Sequence, residues 1–158
     1  MRVYTKTPQL KKKIALILIL IFAVLQIIPR EKNENKAPTD ADLFAVEEAS
    51  SELQILIKGA CYDCHSYQSE YPWYSNIAPF SWWIDDHIEE GREHLNFSDW
   101  SKYKAEKKSH KAEEAVEEIK EGEMPLESYQ LAHSSARLSD EETALILNWF
   151  SRIHLKYH

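Results

Sequence analysis

The chain has few of the residues on which several common protein classes depend. Its 158 residues include two cysteines, three glycines and six prolines. Two cysteines are too few for a framework of several disulfides or for a four-thiolate zinc site. Scarce glycine and proline argue against a fibrous or low-complexity chain. A globular class is left, and an apolar fraction of 44% is enough for a packed core.

Acidic residues outnumber basic ones, 26 to 19, which gives a formal net charge of −7. A surface of that sign repels phosphate backbones, so we expect no nucleic acid partner. The excess is uneven, because residues 1–13 contain Arg2, Lys6 and Lys11–Lys13 and no acidic residue.

An apolar run, IALILILIFAVLQII, follows that basic flank at residues 14–28, with Gln26 as its polar exception. A basic flank before an apolar run is typical of an export signal or a signal anchor. The run is shorter than the usual spanning helix of about 20 residues. No small-residue cleavage pattern follows it, which favours an uncleaved anchor. We therefore expect residues 1–29 to form a single-pass anchor in a bacterial inner membrane, with the remaining chain in the periplasm.

Polar residues at 30–40, REKNENKAPTD, predict a flexible linker, and residues 41–158 form the predicted domain. In that domain apolar residues recur at helical spacing, and no segment alternates as a strand would. Residues 66–79 and 123–138 are predicted loops. The fold class is therefore all-α, with four to five helices. The first predicted helix starts after Asp40 and stops at Gly59, and the second runs from about residue 83 to 95. The third stops at Gly122, and the last opens with a capping box at Ser139.

The motif C-Y-D-C-H occupies residues 61–65 and is the attachment pattern of c-type haem. Two thiols at this spacing can bond to the two vinyl groups of haem, and the adjacent histidine then ligates the iron. The sequence thus predicts one covalently bound haem c, with Cys61 and Cys64 as attachment sites and His65 as proximal ligand.

Other uses of a cysteine pair are weaker readings of this motif. A zinc site needs a second ligand pair, and a thioredoxin-like redox pair belongs in a βαβ pattern. A structural disulfide between Cys61 and Cys64 would close a very short loop.

Methionine is scarce, and Met124 is the one available to the iron, since Met1 lies before the basic flank. It stands in E-G-E-M-P, where the following proline fixes the local backbone. Thioether ligation suits a cytochrome and raises the reduction potential. The alternatives are that Met124 fills a core gap, that His87, His94 or His133 is the distal ligand, or that the sixth position is open.

Several segments together resemble the bacterial haem-binding domain family of small CxxCH proteins. They are C-Y-D-C-H-S, Y-P-W-Y-S, E-G-E-M-P-L-E-S-Y and L-S-D-E-E, and the resemblance extends over roughly residues 45–155. It implies a small cytochrome c-like helical domain around one haem. It also implies Cys61 and Cys64 as attachment sites, His65 as proximal ligand and Met124 as distal ligand. It implies no reaction.

The leading functional hypothesis is a membrane-tethered monohaem cytochrome that carries single electrons and is not an enzyme. Its partners would be redox proteins of the periplasm or membrane. The second hypothesis is a haem enzyme or sensor, peroxidase-like or gas-binding, with an open distal site. The third is a structural module in which Cys61 and Cys64 form a disulfide.

Overall fold

The computed structural model describes residues 7–28 and 37–158. Within those two ranges all regular secondary structure is helical, which confirms the all-α fold class, although residues 41–158 contain more helices than the four to five predicted. Arg2 and Lys6 of the basic flank lie outside the described residues, as do positions 30–36 of the predicted linker. The α-helices of the described residues are α1 (Thr7–Leu25), α2 (Leu43–Val46), α3 (Ser51–Ile57), α4 (Asp63–His65), α5 (Phe80–His94), α6 (Ala105–Glu121), α7 (Glu127–Ala132) and α8 (Asp140–Tyr157). A π-helical turn lies at Lys58–Tyr62, and 3-10 turns lie at Trp73–Asn76, Phe97–Lys102 and Ser134–Ala136.

One compact unit contains α1, the turn Trp73–Asn76 and the start of α5. Gln26, the polar residue of the apolar run, binds the main chain just before α5. Its Nε2 donates to the carbonyl of Ala78 at 3.2 Å, and the Ala78 N–H donates back to Gln26 Oε1 at 3.0 Å. The amide of Gln26 thus satisfies both main-chain groups of a buried alanine.

The described part of the chain does not contain the predicted membrane anchor. No helix in residues 7–28 and 37–158 is long and apolar enough to cross a membrane. Helix α1 has 19 residues, but its first seven, TPQLKKK, include three lysines. The remaining 12 residues extend about 18 Å at 1.5 Å per residue, against a hydrocarbon core of about 30 Å. The single-pass helix and the inner-membrane location are therefore wrong, and the periplasmic placement has lost its support.

The second unit contains the rest of α5, the other helices and an apolar core. Helix α6 packs along α8, and α3 also contacts α8. Two buried tryptophans in this core donate their indole N–H groups, from Trp100 to Glu47 Oε1 and from Trp149 to the Glu48 carbonyl, both at 2.9 Å. The buried core residues are Leu43, Leu53, Ile57, Tyr62, Phe97, Trp100, Ala112, Val116, Ile146, Trp149, Phe150 and Ile153.

The helix predicted after Asp40 is in fact two, and Gly59 does not end it. The chain breaks between α2 and α3, where the Ser50 side chain accepts from the N–H of Leu53 at 3.2 Å and caps α3. Beyond α3 it stays helical through Gly59 as far as His65. Gly59 serves close packing instead, since a Cβ there would lie 3.0 Å from Ser135 Cβ.

The predicted ends of the last two long helices are confirmed. Gly122 has φ of 79° and ends α6 in the left-handed conformation. Ser139 and Glu142 form the predicted capping box at the start of α8. The predicted loop at residues 123–138 is wrong in part, because it contains α7 and a 3-10 turn. Helix α7 is only six residues long and has no side-chain cap at its start, so it leaves little periodic signal.

Candidate haem site

The motif turn, Cys61–His65, is anchored from inside the core by Tyr62. This side chain is 3% exposed, and its hydroxyl donates to Asp42 Oδ1 at 2.9 Å. Its ring stacks between Phe44 and Phe97, with centroid distances of 5.4 and 5.2 Å. Asp42 also caps α2 by accepting from the N–H of Phe44. Tyr62, one of the two residues between the cysteines, thus fixes the turn to the core.

The ring of His65 is held in one tautomer by the end of α5. Its Nδ1 lies 2.9 Å from the carbonyl oxygen of Gly91 and 3.0 Å from that of Leu95. Carbonyl oxygens only accept, so Nδ1 carries the proton. Burial lowers the pKa of His65 although both hydrogen bonds raise it, so the imidazole is neutral at neutral pH. A neutral ring with protonated Nδ1 leaves the Nε2 lone pair free, which is the form that ligates a metal.

Gly91 allows α5 to lie close to the motif turn. A Cβ at this position would lie 3.1 Å from the carbonyl oxygen of Cys64 and 3.4 Å from its Cβ. Glycine therefore brings the carbonyl of residue 91 within hydrogen-bond distance of His65.

A cavity of about 410 Å³ lies beside the motif turn and collects all four predicted site residues. Cys61, Cys64, His65 and Met124 each line it. Volumes of this order are typical of ligand pockets, and a mostly apolar wall suits a porphyrin ring. The apolar residues of the wall include Ala60, Leu95, Phe97, Ala115, Ile119, Leu126, Leu138, Ile146 and Phe150.

The three alternative histidines lie in different places. His87 and His94, both on α5, line the cavity. His133 follows α7, where its ring stacks on Tyr129 with a centroid distance of 4.0 Å. Its Nδ1 lies 3.1 Å from the Tyr129 carbonyl oxygen.

Both thiols are protonated at neutral pH. Burial, and then the neighbouring Cys64, raises the pKa of Cys61 to about 12. Burial, and then the charge of Asp63, raises the pKa of Cys64 to about 11. Catalytic thiol–disulfide pairs depend on a lowered thiol pKa. The environment of this pair is therefore the opposite of that in a thioredoxin-like site.

Residues 124–132, here the methionine segment, form the other side of the cavity. Met124 is half-buried, and its N–H donates to the Glu118 carbonyl at 3.2 Å, just past the end of α6. Further along, the hydroxyl of Tyr129 donates to Asp63 Oδ2 at 2.7 Å. Sequence reasoning missed this link between the segment and the motif turn, because the two residues are 66 positions apart.

Charged side chains also reach the cavity from α5 and α6. Lys111 Nζ lies 2.6 Å from Glu114 Oε2, and its side chain is 13% exposed. Both line the cavity together with Glu90 and Glu118. A lysine with so little exposure is a candidate partner for an acidic group on a bound ligand.

A family model described as a haem-binding domain matches residues 20–152. No curated protein and no solved structure matched the chain. The matched range contains the motif turn, the methionine segment and every residue that lines the cavity. Because the match covers most of the 158 residues, the chain belongs to the haem-binding domain family.

Proposed function

We propose that this protein is a monohaem c-type cytochrome that carries single electrons to or from a redox partner protein. The observation that supports this most directly is the geometry of His65. Its Nδ1 is engaged by two carbonyls, so its Nε2 is available as a ligand, in the cavity that both thiols and Met124 line.

The residues of the cavity fit a covalently held haem. Each thiol, protonated in this environment, can add its S–H across one vinyl group to give a thioether. The apolar wall would enclose the ring, and Lys111, which lines the cavity, would pair with a propionate. When bound, haem supplies an iron that alternates between the ferrous and ferric states and so takes up or releases one electron.

Met124 is the distal ligand that the arrangement favours. The Nδ1 of His65 faces the main chain of α5, so its Nε2 points away from that helix. His87 and His94 are both carried by α5, whereas Met124 follows α6. Residue 124 would therefore supply the second ligand from an element other than the one that fixes His65.

Covalent attachment is tested by mass spectrometry and by a haem stain on a denaturing gel. The protein is produced in cells that contain haem-attachment machinery. We expect the mass of the polypeptide plus one haem and a stained band, because thioethers survive denaturation. The matched control, Cys61→Ser with Cys64→Ser, should give the bare mass and no stain. A wild-type protein of bare mass would contradict the proposal.

The distal ligand is tested on the haem-loaded protein by absorption spectroscopy. We expect the oxidised protein to show the methionine-to-iron band, Met124→Ala to lose it, and the control His87→Gln to keep it. A wild-type protein that lacks the band and binds carbon monoxide readily would instead support a haem enzyme or sensor with an open distal site.

A further inference from the structure

We infer that Tyr129 is a positioning residue for Met124, and that its hydrogen bond to Asp63 holds the methionine segment against the motif turn. This rests on the proposed function, since the position of Met124 matters to the iron only if haem is attached beside it.

The bond connects the two sides of the cavity directly. Tyr129 lines the cavity five positions after Met124, and Asp63 lies between the two cysteines. The Tyr129 oxygen is 2.7 Å from Asp63 Oδ2, while Asp63 Oδ1 accepts from the Glu70 N–H at 2.8 Å. Both carboxylate oxygens are thus engaged, which fixes the acceptor of the tyrosine hydroxyl.

Other hydrogen bonds hold the segment together and join Met124 to the end of α6, while that of Tyr129 joins the segment to the motif turn. Gln130 Nε2 donates to the Pro125 carbonyl at 2.6 Å, inside the segment. Arg137 donates from Nε to the Gln130 carbonyl at 2.7 Å and from Nη2 to the Leu131 carbonyl at 3.0 Å. These contacts stiffen α7, so a restraint on the Tyr129 ring is passed on to Met124.

The ring itself has little freedom to move. It stacks on His133 with planes 17° apart, and it is half-buried. Burial, and then the bond to Asp63, raises the pKa of Tyr129, so the hydroxyl keeps its proton. A neutral hydroxyl that donates to a carboxylate is among the stronger side-chain hydrogen bonds.

The test compares Tyr129→Phe with Tyr67→Phe in the haem-loaded protein. Tyr67 donates its hydroxyl to Asp99 Oδ2 at 2.8 Å, so its replacement removes the same kind of bond outside the methionine segment. Both variants should keep covalent haem. We expect Tyr129→Phe to raise the fraction of reduced iron open to carbon monoxide roughly tenfold or more, from the usual strength of a hydrogen bond to a charged group. Its methionine-to-iron band should also disappear at a lower temperature than that of Tyr67→Phe.

A double-mutant cycle with Asp63→Ala assigns the effect to the bond. If Tyr129 acts through Asp63, then Tyr129→Phe should change carbon monoxide binding little once Asp63 is replaced. The wild-type protein could show the band while Tyr129→Phe and Tyr67→Phe behave alike. That result would overturn this inference and leave the proposed function standing. A wild-type protein with haem but no such band would overturn methionine ligation, and this inference with it.

Discussion

The two sides of the cavity are held in very different ways. The motif turn is fixed by a buried ring, by two carbonyls on His65 and by the close approach of Gly91. The methionine segment is half-buried, and its side-chain link to the motif turn is the hydrogen bond from Tyr129 to Asp63. The motif turn is restrained by several contacts with the core and with α5, whereas the methionine segment is joined to that turn by the Tyr129 hydrogen bond.

This difference indicates how the chain would hold the two proposed axial ligands, His65 and Met124. A histidine whose tautomer is locked by main-chain acceptors keeps its ligand atom in place whether or not its partner is bound. A segment tied by few bonds opens locally at a small cost in free energy. We therefore expect changes on the motif side to alter global stability, and changes on the methionine side to alter access to the iron.

The largest effect expected is that of Tyr62→Ala. It removes a ring that is 3% exposed and stacked between two others, which should lower the free energy of unfolding by about 3–5 kcal/mol. The matched change Tyr129→Ala removes a half-buried ring and should cost about 1–2 kcal/mol. Urea denaturation of the haem-loaded proteins measures both. Equal losses of unfolding free energy would contradict the expectation that the motif side contributes more to global stability.

A smaller loss of stability is expected when Gly91 is replaced, and Gly59 provides the comparison. Gly91→Ala would place a Cβ 3.1 Å from the carbonyl oxygen of Cys64, in a turn that has little room to move. We expect overpacking to destabilise the protein by about 1–3 kcal/mol, although alanine is ordinarily the better helix former.

Gly59→Ala is the control for that prediction. Its Cβ would meet the Cβ of Ser135 at 3.0 Å, and Ser135 is exposed in a short turn that can shift. Thermal denaturation should therefore give a smaller drop in Tm for Gly59→Ala than for Gly91→Ala. The reverse order would mean that the motif turn is the more adaptable side.

Sequence reasoning found the residues whose chemistry is encoded in local spacing. Cys61, Cys64 and His65 were predicted from one five-residue motif, and Met124 from its rarity and its proline. All four line one cavity, and their roles as haem attachment sites and iron ligands stay predictions. The capping box at Ser139 is equally local, since its two partners are three residues apart.

What the sequence did not indicate depends on contacts between distant segments. Gly59 was predicted to stop a helix, but the structure uses it for close packing against Ser135, and it uses Gly91 in the same way against Cys64. Nothing in the spacing pairs Tyr129 with Asp63. The membrane anchor failed for another reason. Apolar residues extend to Ile28, whereas the helix ends at Leu25 and has three lysines among its first seven residues.

The smallest expected effect is a pH dependence on the motif side. Glu47 is 3% exposed, directly follows α2, and accepts from Trp100 and from Lys156 Nζ at 2.7 Å. Burial by itself raises the pKa of Glu47, but the hydrogen bonds from Lys156, Trp100 and Tyr157 outweigh it, so the pKa lies below the ordinary value of 4.5. A carboxylate with a depressed pKa in the folded state stabilises the protein above its unfolded-state pKa. That contribution is lost as the pH falls through the folded value.

Replacing Glu47 with glutamine isolates this contribution. The amide oxygen can still accept from Trp100, but the charge opposite Lys156 is gone. Since the Lys156 side chain is 53% exposed, we expect a loss of only about 1 kcal/mol at neutral pH. The difference between wild type and Glu47→Gln should shrink as the pH falls below about 4.5, because wild-type Glu47 then takes up its proton. Urea denaturation at several pH values measures this difference. A difference that stays constant from neutral to acid pH would mean that the charge of Glu47 does not contribute. Glu47 would then support α2, which carries the Phe44 ring that stacks on Tyr62, by its shape alone.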